Sequence, residues 1–93
     1  VNTLCFEWDS QKAEANAKKH GITFDEATSV FADERAKLID DPDHSHAEDR
    51  FILLGLSRSL RLLVVCHCYR DRNNTIRLIS ARKATAAESL QYS

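Results

Sequence analysis

Ninety-three residues, 43% hydrophobic and 29% charged, make one small globular domain and exclude wholesale disorder. The longest apolar runs, such as 62–66, are too short to cross a bilayer, and the opening residues lack the basic start and apolar core of a secretion signal. A cytoplasmic chain is therefore expected, with its three cysteines reduced, and its net charge of −1 conceals a strong asymmetry between halves.

Residues 4–8 read as a first strand, with Phe6 and Trp8 on one face and expected in the core. Asp9 or Ser10 can cap a helix running to Lys19 or His20, and Gly21 provides the left-handed residue that ends it. The apolar face of that helix is thin. Ala13, Ala17 and His20 share it with Asn16, so it must pack closely or be partly polar by purpose. Thr23-Phe24-Asp25-Glu26 has the form of a capping box, and Phe24, Ala27, Val30 and Phe31 recur at helical spacing behind it. Residues 36–40 make a short strand, and the acidic, Pro-containing stretch 40–49 is a loop. Three strands then follow as a meander at 50–56, 61–70 and 75–83. Turns at 57–60 and 71–74 join them, with Asn expected at the strained backbone positions. Thr85-Ala86-Ala87-Glu88, a second capping box, opens a short helix ending near Tyr92. The order β-α-α-β-β-β-β-α predicts a single α+β domain over 1–93. Its sheet is four- or five-stranded and mostly antiparallel, with the two N-terminal helices on one face and a short C-terminal helix.

Residues 1–49 carry five Lys/Arg against twelve Asp/Glu, a balance of −7, and residues 50–93 carry eight against two, a balance of +6. The positive half is rich in arginine: Arg50, Arg58, Arg61, Arg70, Arg72, Arg77 and Arg82, beside Lys83. A guanidinium offers a planar fork of donors suited to phosphate, so the clustering points toward a polyanion. Near turns, Arg58, Arg70 and Arg72 read as solvated surface.

Three stretches carry a family pattern in order. Phe6-Glu7-Trp8-Asp9 is followed by Lys12, Asn16 and Lys19-His20-Gly21; Arg50-Phe51 leads a strand with Gly55 beyond; Arg77 to Thr85 precedes Glu88 and Tyr92. Together they resemble the BrnT family, within the RelE-like toxins of bacterial type II toxin–antitoxin systems. The resemblance implies a RelE-like fold and a ribonuclease that cleaves mRNA to arrest translation and growth. It also implies neutralisation by an antitoxin of the BrnA type, a ribbon-helix-helix DNA-binding protein, with operator DNA met only through the complex.

Cleaving RNA without a metal needs a base for the 2′-OH, a cation for the phosphate and an acid for the leaving oxygen. Histidine suits the first and last, arginine and lysine the second. His20 stands beside Lys19 at a helix C-terminus, where a positive charge is favoured; its alternative role is to cap the last carbonyls. His67 shares a strand face with Leu63, Val65 and Tyr69, and reads either as a half-buried core histidine or as a proton-transfer partner of Tyr69. Arg50, Arg77 and Arg82 begin, centre and end strands. Arg77 and Arg82 differ by an odd number, so a regular strand points them to opposite faces unless a bulge intervenes near Ser80. Arg77 is favoured as a phosphate contact, and Arg82 either as a second contact or as the partner of Glu88.

His44 and His46 lie in the acidic loop, but neither they nor Cys66-His67-Cys68 have metal-site spacing, so no metal and no cofactor are expected. That loop instead suits a basic segment of the antitoxin. Two other classes compete with the enzyme: a non-catalytic toxin, similar to the ParE branch, that binds a protein such as a topoisomerase, and a plain interaction module.

Overall fold

The computed structural model describes residues 4–40, 50–70 and 74–92. Its elements are β1 (Cys5–Glu7), α1 (Ser10–His20), α2 (Phe24–Thr28) extended by a 3-10 turn (Ser29–Ala32), β2 (Lys37–Ile39), β3 (Phe51–Leu56), β4 (Leu62–Tyr69), β5 (Thr75–Lys83) and α3 (Ala86–Ser89). Of the acidic loop expected over 40–49, residues 41–49 lie outside the described residues, as does Arg72.

The strands form one sheet in the order β1-β5-β4-β3-β2. The last four make the antiparallel meander, and β1 joins β5 in parallel, from Cys5 opposite Thr75 to Glu7 opposite Arg77. One face of the sheet packs Leu63, Val65, Leu78 and Ala81 against Ile22, Phe24, Ala27 and Val30, and Phe6 and Trp8 join that core. The other face gathers Ile52, Leu54, Val64 and Cys66 with Ile79, Ala84 and Tyr92. Burial on both faces explains why β4 reads as a nearly unbroken apolar run. Gly55 lets the 3-10 turn approach β3, since a Cβ there would sit 2.7 Å from Val30 Cγ1 and 2.8 Å from the Ala36 Cβ.

The thin apolar face of α1 has its explanation in Asn16, the buried residue of this helix. β1 ends opposite Arg77, so the later half of β5 has no strand on that side. Asn16 takes the place of one. Its Nδ2 donates to the carbonyls of Ala81 (2.8 Å) and Ile22 (2.9 Å), and its Oδ1 accepts from the Ala81 N–H (3.1 Å). A side-chain amide thus satisfies a strand edge that would otherwise be buried unpaired.

β5 departs from regularity at one point. Cys66 pairs with Ser80 and His67 with Leu78, which leaves Ile79 as the extra residue of a β-bulge. The bulge resets side-chain parity, so Leu78 and Ala81 both face α2 although their numbers differ by three.

Several local expectations are corrected. Thr23 accepts from the Glu26 N–H (3.0 Å), but the Glu26 carboxylate does not return the bond because Arg61 and Ser57 hold it. The box at Thr85 is complete. Val30 and Phe31 fall in the 3-10 turn rather than in α2, and Arg50, Arg61 and Arg70 flank strands instead of entering them. Left-handed backbone occurs at Asn74 (φ 58°), as turn chemistry suggests, and also at Leu60 (φ 62°). The tail is pinned beyond α3, where Tyr92 Oη donates to Asp33 Oδ2 at 2.7 Å. That carboxylate also accepts from the Leu56 N–H, and these bonds hold it below the usual carboxylate range.

Replacing Asn16 with Ala should cost about 2–4 kcal/mol, because three backbone groups lose their partner inside the fold. Asn16→Asp should fail to rescue, having no donor for the two carbonyls. Urea unfolding of the three chains measures both.

Candidate functional site

One face of α1 lies along the bulged edge of β5 and encloses an open cleft of about 230 Å³. Lys12, Asn16, Lys19 and His20 line one side, at the three-and-four spacing of a helix, and Ile79 and Ser80 line the other. Gly21, at φ 71°, donates its N–H to the Ala17 carbonyl at 2.9 Å and so closes the helix itself. The His20 imidazole stands at the cleft beside this cap. Among the described residues no carboxylate pairs with Lys12, Lys19 or His20. The cleft is lined by two lysines and one imidazole.

The arginines have different fates. Arg61 forks onto Glu26, Nε to Oε2 at 3.0 Å and Nη2 to Oε1, while Ser57 Oγ donates to Oε2 at 2.6 Å. This pair keeps Glu26 ionised inside the protein, well below its ordinary pKa. Arg58 meets Asp25 at 2.6 Å on the surface. Arg82 forks onto Glu88 at 2.8 Å through both nitrogens, which drives the Glu88 pKa down to about 2. Arg77 meets Glu7 at 2.9 Å, and Arg70 approaches the same oxygen at 3.4 Å. Much of the charge asymmetry is thus internal pairing, with Glu7, Asp25 and Glu26 of the acidic half holding arginines of the basic half.

The bulge places Arg77, Ile79 and Arg82 on the face away from α2, because Ile76, Leu78 and Ala81 occupy the other. They remain far apart along the strand, on the order of 13 Å for four regular steps. One phosphate cannot bridge them, but they flank Ile79 and Ser80 on either side of the cleft.

His67 lies one strand in from the bulge and is fully buried. Phe31 (4.8 Å), Tyr69 (5.5 Å) and Phe51 (6.1 Å) box its ring. Nδ1 sits 3.2 Å from the Val65 carbonyl, which can only accept, so the proton of the neutral ring is there. Nε2 is buried without a hydrogen-bond partner. Burial pushes the imidazole pKa down. The face that His67 shares with Tyr69 is the one the helices cover, and RNA cannot reach its ring. Arg50 stands half-buried just before β3, beside the Phe51–His67 pair and apart from the cleft.

The structure therefore groups Lys19 and His20 with the strand that carries Arg77 and Arg82, and separates Arg50 and His67 from them. Lys12 and Ser80 join the cleft without having been expected there from the sequence. Lys12 was detectable, being in helical register with Asn16, Lys19 and His20; Ser80 depends on the bulge.

Residues 8–88 match the family described as the ribonuclease toxin, BrnT, of type II toxin–antitoxin systems. The chain belongs to the BrnT family. The fold is similar to the crystal structure of the ribonuclease toxin BrnT from Brucella abortus, with a TM-score of 0.67 and 25% identity, covering 89% of this chain and 99% of that one. Curated proteins provide no match to the chain. Membership makes it a ribonuclease toxin whose partner is an antitoxin. Among the described residues no helix is long and apolar enough to cross a membrane.

The buried histidine makes stability depend on pH. In the unfolded chain its pKa is near the ordinary 6.5, and in the folded chain it is lower. Below 6.5 the unfolded state therefore binds more protons, and stability falls as pH drops toward the folded pKa. Chemical denaturation from pH 7.5 to 5.5 should show this slope, and His67→Phe should flatten it.

Proposed function

We propose that this toxin cleaves mRNA in the cytoplasm, without a metal, at the cleft between α1 and the β5 bulge. The supporting observation is the grouping of Lys12, Lys19 and His20 against that bulge, with no carboxylate paired to them among the described residues. In the reaction the 2′-oxygen attacks the adjacent phosphorus and the bond to the 5′-oxygen breaks, leaving a cyclic phosphate and a 5′-hydroxyl. His20 takes the proton from the 2′-OH and returns it to the leaving 5′-oxygen, and Lys12 and Lys19 stabilise charge on the non-bridging oxygens. Arg77 contacts a phosphate beside the cleft. Arg82 braces the end of β5 through Glu88, and Arg50 and His67 shape the sheet without touching RNA.

On this reading the fold is a RelE-like one adapted by the bulge. The antitoxin is of the BrnA type, a ribbon-helix-helix protein that brings the complex to operator DNA. Lys12 and Lys19 of α1 lie on the cleft side, so an antitoxin that covers the cleft blocks the substrate directly.

Purified toxin should cleave mRNA in EDTA, and His20→Ala should lower the rate by roughly 10²–10⁴. Lys19→Ala should lower it less. Cleavage lost on chelation, or undiminished in His20→Ala, would overturn the assignment. No cleavage together with inhibited DNA supercoiling would favour the ParE-like alternative.

A further inference from the structure

Beyond the cleft, we propose that Arg70 and Arg77, gathered on Glu7, form a second phosphate subsite that holds the RNA strand next to the cleaved bond. The inference rests on the cleft being the place of RNA cleavage. Glu7 closes β1 directly opposite Arg77 on β5, and Oε2 of Glu7 receives both Arg77 Nη1 (2.9 Å) and Arg70 Nε (3.4 Å). Arg70 is brought there by the hairpin, where its N–H donates to the Thr75 carbonyl at 3.0 Å. Two guanidiniums thus share one carboxylate.

The pairs Arg58–Asp25 and Arg61–Glu26 are each one cation to one anion, and Arg82 is forked by Glu88 through both nitrogens. The Glu7 cluster retains a net positive charge at an accessible place, with the side chains of Arg70, Arg77 and Glu7 57%, 34% and 40% exposed. Each guanidinium has five donors and Glu7 engages few of them, so the forks keep donors for a second oxyanion. Glu7 orients the forks without neutralising both.

Position ties this cluster to the cleft. Arg77 and Ile79 share the face away from α2, about 7 Å apart along the strand, and Ile79 lines the cleft. A strand with one phosphate between Lys19 and Ser80 would bring the next one or two toward Arg77 and Arg70. At the opposite end of β5 Glu88 already engages both Nη atoms of Arg82, so RNA is expected to extend from the cleft toward β1 and not toward α3.

The test measures binding of labelled single-stranded RNA to the His20→Ala toxin over a salt series. Arg70→Ala in that background should weaken binding roughly three- to tenfold and make the slope of log affinity against log salt shallower by about 0.7, one phosphate contact. Glu7→Gln should move both the other way, because it releases the two cations; a merely structural Glu7 would weaken binding on removal. Arg58→Ala serves as the charge control and should leave the slope unchanged. In the otherwise intact toxin, Arg70→Ala should raise KM and preserve kcat. Slopes unchanged in Arg70→Ala and Glu7→Gln, with cleavage intact, would remove the subsite alone. So would an equal shift in Arg58→Ala, or an Arg70→Ala effect confined to antitoxin binding. A parent toxin that neither binds nor cleaves RNA would remove both the subsite and the reading beneath it.

Discussion

The amide of Asn16 is the interaction on which the arrangement of this toxin depends. A five-stranded sheet with a three-residue parallel strand at one edge leaves the later half of its longest strand without a neighbour on that side. Packing a helix there would bury open peptide groups, and each would carry a desolvation cost. Asn16 offers a donor pair and an acceptor from one side chain, so α1 can lie against β5 with little apolar surface of its own. The exposed turns of α1 are then free to carry lysines and His20. Functional polarity and close packing coexist on one short helix because a single amide replaces a missing strand.

Charge in this chain operates at two ranges. Within the fold, Asp25, Glu26 and Glu7 of the first half meet arginines of the second and tie α2 to the β3–β4 turn and β1 to β5, while Arg82 and Glu88 pair within the second half. The Arg61–Glu26 pair is the most enclosed, and its carboxylate also takes the Ser57 hydroxyl, which satisfies an otherwise costly buried charge. The lysines at the cleft and the shared arginines at Glu7 remain available to an outside anion. On the proposed reading, a toxin near neutrality overall holds RNA at one edge without a strongly basic surface, and salt should weaken that hold steeply.

His67 shows how a residue with catalytic chemistry can serve packing. Its ring fills an aromatic box under the 3-10 turn, one strand from the bulge. The unpartnered Nε2 is a standing cost, and the neutral ring fits the site only while it stays unprotonated.

The order of elements, the strand parities of β4, the caps at Asp9, Thr23 and Thr85, and the α+β class were all legible in the sequence, because each follows from local periodicity and short-range hydrogen bonding. Lys19 and His20 were legible as candidates for the same reason, being fixed by the helix end at Gly21. Tertiary structure alone decided which candidates meet. The bulge at Ile79 turned Arg77 and Arg82 to one face, which strand parity by itself forbids. Burial of one sheet face enclosed His67, and pairing between distant segments converted part of the charge asymmetry into ion pairs. The carboxylate predicted to cap α2 went to Arg61 instead, since a two-pronged ion pair outweighs one hydrogen bond to a backbone amide. Those outcomes depend on contacts between residues tens of positions apart, and local spacing carries no record of them.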